Sequence, residues 1–263
     1  MDYDIILLLI IFMIGFIGSF VSGMLGVGGA VVNYPMLLMI PTALGVGSFT
    51  AHEVSGITAV QVLFTTVVGA LAYRKGGYLN KKVIIYMGGG VLLGSLAGGF
   101  MSSAMPESGI NIVYGLLALA AVVMMIIPHG GEDDLAYSTD HFNRLLGISS
   151  AFIVGLGAGI VGAGGAFLLV PVMLTLLKLP TRTAIASSLA ITFLSSIGSA
   201  GSKLIMGQVL FIPAIVMIIA SLIASPLGAK VGKKMNTKFL EKALAALIFI
   251  IAVKIWFDIF AGH

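Results

Sequence analysis

Long, uninterrupted apolar runs constrain this chain more than any other feature of its sequence. A transmembrane helix needs about 20 mostly apolar residues to cross a bilayer, and such runs follow one another almost without a break. Only 9% of the residues are charged and 59% are hydrophobic, so a water-soluble domain of ordinary composition is excluded. The runs are continuous rather than alternating, which favours helices over membrane β-strands. We expect an all-α polytopic membrane protein with about eight to ten transmembrane helices.

The apolar runs fall into two sets of five. The first set lies at residues 5–24, 29–42, 49–73, 82–104 and 109–128, and the second at 143–161, 165–178, 183–205, 209–229 and 239–260. The second run of each set is short and follows a cluster of glycines. The one long polar stretch lies between the sets. The sequence therefore predicts a first membrane repeat at 1–128, a polar linker at 129–142 and a second membrane repeat at 143–263.

The two sets are copies of each other around the glycine clusters. Residues 23–38 align with residues 159–174 at an offset of 136, and 7 of the 16 positions are identical. Later in each set the offset becomes 130, which pairs Gly98 with Gly228. A G-x-G-G cluster followed by a proline in register is hard to obtain by chance, even in apolar sequence. The alignment therefore predicts an internal duplication.

Charge predicts the orientation of the segments. If every segment crosses the membrane, 12 of the 14 Lys and Arg residues collect on one side, and positive loops mark the cytoplasmic side. Both termini then lie outside the cytoplasm. The loop at 74–82 is basic, whereas the equivalent loop near 201–208 holds only Lys203, and the bias reverses for the later pair of loops. Five crossings in each half would place the copies upside down, so we expect inverted repeats. Four crossings, with a re-entrant short segment, would leave the copies parallel.

The glycine clusters mark the expected substrate site. Short, glycine-interrupted helices at matching positions of inverted repeats are typical of secondary transporters. The start of a short helix presents unpaired N–H groups and a partial positive charge, which suits an anion. The alternative is that the glycines only allow helices to cross closely. The candidate substrate-binding glycines are Gly26, Gly28, Gly29, Gly162, Gly164 and Gly165.

Polar side chains within the apolar runs are the next candidates. The eighth segment carries hydroxyls at helical spacing, and the third segment carries hydroxyls and an amide. These neutral groups can replace part of the hydration shell of an anion. They can equally pack helices together by bonding to backbone carbonyls. The candidate substrate-binding residues are Asn33, Ser187, Ser188 and Thr192, and the candidate pore-lining residues are Thr58, Gln61 and Ser195.

His52 and Glu53 are ionisable residues inside the third apolar run. An ionisable group at membrane depth is costly and points to function, so both residues are candidates for proton coupling. The alternative is that they lie at the membrane interface, where the helix has only just begun. The pair begins like the H-E-x-x-H zinc motif, but Gly56 stands where the second histidine belongs. No metal and no cofactor are expected.

The residues around the glycine clusters resemble a known family. Gly-x-x-Gly-x-Gly-Gly-Ala is followed by Pro35 in the first half and by Pro171 in the second, and residues 180–192 read Pro-Thr-Arg-Thr-Ala-Ile-Ala-Ser-Ser-Leu-Ala-Ile-Thr. These motifs are similar to those of the TauE/SafE sulfite exporters, also called the toluene sulfonate uptake permease family. The resemblance covers nearly the whole chain. Residues 51–58 depart from the Ala-x-Ala-Ser-Ser-Leu type of run expected there.

The resemblance implies a bacterial or archaeal inner-membrane transporter of small sulfur-containing anions, such as sulfite or sulfonates. With the repeats, it predicts a secondary transporter that works by alternating access, with protons as the candidate coupling ion. A passive anion channel lined by the same groups is the alternative, and an enzyme is not expected. The expected partners are a small anion, protons and the lipid bilayer, without nucleic acid.

Overall fold

The computed structural model describes residues 4–26, 28–74, 78–126 and 143–261. Within these residues the chain forms ten α-helices and no strand. The predicted linker at 129–142 lies outside the described residues. The helices are α1 (Ile5–Leu25), α2 (Ala30–Ala43), α3 (Ala51–Arg74), α4 (Lys81–Ser102), α5 (Glu107–Ile126), α6 (Arg144–Val161), α7 (Ala166–Thr175), α8 (Thr181–Ile205), α9 (Phe211–Lys234) and α10 (Thr237–Ala261).

Most of these helices are suited to a membrane. Seven of the described helices are long and apolar enough to cross it, namely α1, α3, α4, α5, α6, α8 and α9. Large side chains that face outward are apolar, among them Ile85, Leu93, Ile153 and Phe211. The predicted all-α polytopic fold is thus confirmed. The second and seventh helices are short, with 14 and 10 residues. The seventh ends earlier than predicted, because the chain turns after Thr175 and Lys178 adopts a left-handed φ of 51°.

Small residues hold two pairs of long helices in close contact. On α4, Gly90, Gly94 and Gly98 recur at every fourth position and face the backbone of α6. A β-carbon at Gly94 would collide with the Phe152 carbonyl, and one at Gly98 with the Leu156 carbonyl. Lipid tails are as apolar as leucine, so association of helices in a membrane depends on this kind of close packing. The pair α1 and α9 packs in the same way.

The two halves make the same set of helix contacts. Helix α1 packs on α9 just as α6 packs on α4, α3 packs on α9 just as α8 packs on α4, and the other packed pairs match likewise. The match extends to single residues. Gly23 lies against the Ser225 carbonyl, and their counterparts in the alignment, Gly159 and Ser95, are in the same contact. The fold therefore uses one packing arrangement twice.

Helices α3 and α8, which occupy equivalent places in the two halves, run in opposite directions. Gly56, near the start of α3, lies against the backbone of Gln208, just after the end of α8. At the other end, the N–H of Asn80, beyond α3, donates to the Oγ of Ser187 near the start of α8 at 3.2 Å. Equivalent helices with opposite directions are the arrangement expected of inverted repeats.

Basic side chains gather at one end of the bundle. The Arg182 guanidinium, at the start of α8, donates to the carbonyls of Lys233 and Met235 at the end of α9. It also lies 5.9 Å from the ring centre of Tyr78, while Arg144 lies 5.1 Å from that of Tyr86 on α4. We call this end the basic end. The opposite end contains the start of α3, the end of α4 and the start of α5.

The contact between α4 and α6 can be tested with two glycine substitutions in one helix. Gly94→Ala is expected to lower the melting temperature of the detergent-solubilised protein, because overpacking costs about 1–3 kcal/mol. Gly89→Ala is the matched control, since a β-carbon there meets no atom within 4 Å. The control should keep or gain stability, because alanine favours a helix over glycine by about 1 kcal/mol. Equal melting temperatures for the two variants would contradict the packing described.

Candidate functional site

Both halves contain a helix break built on a left-handed glycine. Helix α1 ends at Leu25, and Gly26 follows with a φ of 73°, its N–H donating to the Ser22 carbonyl at 2.7 Å. Helix α6 ends in the same way at Gly162, with a φ of 75°. A side chain at either position would be strained and would also meet the backbone of a neighbouring helix. Glycine is therefore required here both by the backbone conformation and by the close approach.

The short helix after each break runs back along the helix before it. Asn33, in α2, lies beside Gly18 in the middle of α1, and Gly47, after α2, lies against the side chain of Leu7 near the start of α1. Helix α2 thus returns the chain to the end of the bundle at which α1 began.

The two short helices begin near each other at Tyr114 of α5. The Tyr114 hydroxyl donates to the carbonyl of Val31, the second residue of α2, at 2.6 Å. Its ring centre lies 5.9 Å from that of Phe167, the second residue of α7. It also stacks on Tyr34, at 4.8 Å. The first-turn N–H groups of a helix lack partners within it and carry a partial positive charge. Tyr114 therefore brings two electropositive helix starts together inside the bundle.

A buried amide network fixes the break of the first half to α3. Asn33 Nδ2 donates to Gln61 Oε1 at 3.0 Å, and Gln61 Nε2 donates to the hydroxyls of Ser19 at 2.7 Å and Thr65 at 3.0 Å. All four side chains are fully buried. Gly29 packs directly on this network, because a β-carbon there would lie 2.8 Å from Gln61 Nε2. The structure thus joins three of the predicted site residues, Gly29, Asn33 and Gln61.

The break of the second half lies beside a helix that carries hydroxyls without a partner among the described residues. Gly164 lies between Val62 of α3 and the methyl group of Thr192 of α8, two positions that are equivalent in the repeat. The hydroxyls of Thr192, Ser195 and Ser199 are fully buried, and none has a hydrogen-bond partner among the described residues. An unpaired hydroxyl in an apolar interior is costly, so water or a ligand oxygen is expected beside it.

Other predicted site residues bond to nearby backbone. The Ser188 hydroxyl donates to the Gly26 carbonyl at 2.8 Å, and the Thr58 hydroxyl donates to the Val54 carbonyl, one turn back in its own helix, at 2.7 Å. Ser187 accepts the Asn80 N–H near the basic end. The remaining predicted glycines lie at the two breaks, with positive φ at Gly28 and Gly165. Substrate binding by any of these residues stays a prediction.

Glu53 occupies the first turn of α3, half-buried, rather than a position deep within a helix. Its Oε2 accepts the N–H of Thr50 at 2.8 Å, and its own N–H donates to the Thr50 hydroxyl at 3.2 Å. These reciprocal bonds form a capping box, which stabilises the start of a helix. The neighbouring His52 places Nε2 3.1 Å from the Ser102 carbonyl. The geometry agrees with the interfacial alternative, and proton coupling by either residue stays a prediction.

Lys203 is the charged residue whose burial the sequence left open. The sequence places it both within the eighth apolar run, 183–205, and in the loop near 201–208, and the structure places it in α8, fully buried. Its Nζ donates to the Ser102 Oγ at 2.5 Å and to the Ile160 carbonyl at 3.2 Å. The available signal was its spacing, since Lys203 continues the line of Thr192, Ser195 and Ser199 along one side of the helix. Across the described residues, no three His, Cys, Asp or Glu side chains group as a metal site.

Comparison with known proteins agrees with this architecture. The sequence pattern of the family described as Sulfite exporter TauE/SafE matches residues 11–255. The chain belongs to the TauE/SafE sulfite exporter family. A probable membrane transporter of Bacillus subtilis, YunE, is 27% identical over 80% of this chain and 82% of its own length. One from Methanocaldococcus jannaschii is 26% identical over 75% of this chain and 73% of its own length. No solved structure matches the chain.

Family membership and the helices together identify a multi-pass membrane protein of a transporter family. The sequence resemblance is thereby confirmed. A third relative, a probable membrane transporter protein of Xylella fastidiosa, is 29% identical over 66% of this chain and 65% of its own length. Relatives in bacteria and in an archaeon carry the same description, which names no substrate.

The amide network can be tested by substituting its residues with those found at the equivalent positions of the other half. Asn33→Leu and Gln61→Ile introduce the residues found at the equivalent positions, Leu169 and Ile191. Each single variant leaves a buried amide group unpaired, which costs about 1–3 kcal/mol. In the double variant both amides are gone, so its loss of melting temperature should be smaller than the sum of the single losses. Additive losses would show that the two amides do not stabilise each other.

Proposed function

We propose that this protein is a secondary transporter of small sulfur-containing anions, such as sulfite or sulfonates, and that it works by alternating access. The observation that carries the proposal is the meeting of the two short helices at Tyr114, in the interior of the bundle and close to unpaired hydroxyls. Interrupted helices whose starts meet inside a membrane protein form binding sites for charged substrates in secondary transporters.

The chemistry of the interior suits an oxyanion better than a cation. Helix starts and hydroxyls such as those of Thr192 and Ser195 offer hydrogen-bond donors, and the sulfur oxyanions present oxygens that accept them. Those hydroxyls are neutral, so they would bind an anion without the strength that holds it permanently. The family description, which names sulfite export, supports the sulfur-containing class.

Inverted repeats would supply the alternating access. The opposite directions of α3 and α8 support this topology, as do the contacts that each half makes in the same way with the other. In such a transporter, the two halves exchange conformations around a site near the membrane midplane. The site then opens to one side of the membrane in one state and to the other side in the next.

The orientation of the protein follows from its basic end. Arg144, Arg182 and Lys233 lie there, and positively charged loops are retained in the cytoplasm. We therefore assign the basic end to the cytoplasmic side of the inner membrane. Helix α1 begins at the opposite end, so the N-terminus is placed outside the cytoplasm, and the same charge argument places the C-terminus there.

The function can be tested by flux into proteoliposomes of sulfite, thiosulfate, sulfoacetate, taurine and sulfate, each with and without a pH gradient. We expect saturable flux of at least one sulfur-containing anion, and acceleration when the same anion is loaded on the far side. Flux that rises linearly and lacks this acceleration would indicate a passive channel. If no anion shows flux, either in exchange for the same anion on the far side or under a pH gradient, the proposed substrate class is contradicted.

Two matched substitutions in the flux assay test whether the anion binds near Asn33. Asn33→Asp places a negative charge beside the first break, so it should raise the KM for the anion by repulsion. Asn143→Asp is the matched control, because Asn143 is exposed and caps α6 through the N–H of Leu146, a role that Asp also fills. Equal effects of the two variants on KM would show that the substrate does not bind at the first break.

Glu53 offers a separate test of proton coupling. Glu53→Gln removes the ionisable group but keeps an acceptor for Thr50, because glutamine also completes a capping box. If Glu53 carries the coupling proton, this variant should lose the stimulation of flux by a pH gradient with its melting temperature unchanged. Glu53→Ala is the control that loses the cap as well. If Glu53→Gln still responds to the pH gradient, Glu53 does not carry the coupling proton. His52→Gln then tests whether His52 carries it.

A further inference from the structure

Lys203 is a fully buried lysine without a carboxylate partner. It lies two residues before the end of α8, and none of the described Asp or Glu residues forms an ion pair with it. A buried charge is normally paired, because removing an ammonium group from water costs far more than a neutral hydrogen bond returns. The position therefore calls for a negatively charged group that the described chain does not supply.

The two contacts of Lys203 are with neutral oxygens. Nζ donates to the Ser102 hydroxyl at the end of α4 and to the Ile160 carbonyl at the end of α6. The Ile160 carbonyl also accepts a hydrogen bond from Ser55, at 3.2 Å. An ammonium group has three N–H donors. These contacts orient the side chain and use two of the donors, but neither contact supplies a counter-charge for an ammonium group.

The hydroxyls of α8 that lack a partner lie on the same side of the helix as the ammonium group of Lys203. Thr192, Ser195, Ser199 and Lys203 are spaced by three, four and four residues, which places them on one side of the helix. Eleven residues of helix span about 16 Å. At one end of this line, the methyl group of Thr192 packs against Gly164 at the second break. We call these four residues the α8 stripe.

The other end of the α8 stripe lies close to the opposite end of the bundle. Ser102, which accepts from Lys203, also places its carbonyl 3.1 Å from the half-buried His52. Lys203 is thus separated from that end by little more than one side chain. The stripe accordingly extends from the interior break almost to one of the two surfaces that an anion must cross.

We infer that the α8 stripe is the path of the anion between the interior site and the end opposite the basic end, with Lys203 as its anion-binding group. The inference rests on the proposed function. An arriving anion supplies the missing counter-charge, and the three hydroxyls of Thr192, Ser195 and Ser199 then donate to its oxygens in turn. The position equivalent to Lys203 in the first half is Tyr73, so the cation belongs to one half alone.

The competing explanation is purely structural. Cations near the last turn of a helix stabilise it by interacting with its partial negative charge. Lys203 would in that case cap α6 through the Ile160 carbonyl and have no ligand. The two explanations differ in what they predict for anions. Capping affects the stability of the protein whether or not an anion is present, whereas a binding role changes the response to the anion.

The test measures the melting temperature of the purified protein in detergent while sulfite, sulfate or chloride replaces gluconate at constant ionic strength. We expect a saturable rise with at least one of these anions. Lys203→Gln should raise the anion concentration for the half-maximal effect by about tenfold or more, because charge-assisted hydrogen bonds are much stronger than neutral ones. Lys203→Arg keeps the charge and should stay within about threefold. Lys254→Gln, at an exposed lysine of α10, is the matched control and should change nothing.

Ser199→Ala keeps the test decisive even if Lys203→Gln fails to fold. The Ser199 hydroxyl has no partner among the described residues, so removing it should leave the melting temperature of the anion-free protein unchanged or slightly raised. It should nevertheless weaken the anion effect several-fold, which no capping role of Lys203 predicts. The same result is expected for Ser195→Ala.

The inference is overturned if the wild type shows no saturable anion effect. It is also overturned if Lys203→Gln lowers the melting temperature of the anion-free protein and leaves the half-maximal concentration unchanged. A Lys203-dependent anion effect without flux of any sulfur-containing anion would retain the stripe and reject the proposed substrate class. Flux of a sulfur-containing anion together with an unaltered anion effect in Lys203→Gln would support the proposed substrate class and reject the α8 stripe as the path of the anion.

Discussion

The backbone of a membrane protein cannot leave a helix inside the bilayer unless its polar groups are satisfied by the protein itself. Among the described residues, α1 and α6 each end at a left-handed glycine break, and each break is covered by a long helix of the other half. Gly26 lies against α8, where Ser188 donates to its carbonyl, and Gly162 lies against α3 beside Ser55. The covering helices approach closely enough because glycine occupies both positions. The two halves therefore depend on each other at the two breaks, where the candidate site lies.

The same framework carries different chemistry in its two halves. The first break faces amides, since Gln61 bonds to Asn33, whereas the second half has Ile191 and Leu169 at the equivalent positions. The second half instead offers the α8 stripe. In the alternating-access cycle that we propose, a duplicated backbone with unequal side chains would make the two states unequal in free energy. A transporter built in this way has a preferred resting state even without a gradient.

Periodicity and glycine spacing are visible in the sequence, and they were sufficient to locate the ten helices and both breaks. Contacts between distant segments are not visible there. Tyr114 is one aromatic residue in an apolar run, and nothing local shows that it joins the starts of α2 and α7. Glu53 left two alternatives open, membrane depth or the interface, because the apolar run begins before the helix does, so its capping role was not visible. Lys203 fell both within the eighth run and in the adjoining loop, and only the packing of α8 against α4 and α6 shows that it is buried. Each of these features concerns depth or distant contacts, which depend on how the helices pack rather than on their composition.

The close pairing of α1 with α9 also has a consequence for biogenesis. Roughly 190 residues separate the end of α1 from the start of α9, which at a synthesis rate of about 5–20 residues per second is about 10–40 s of translation. Throughout that interval the glycine-lined face of α1 must remain among lipids or other helices without its final neighbour. A single transmembrane helix tolerates this wait, because its own backbone bonds are complete. Most of the chain therefore has to be synthesised before α1 can pack against α9.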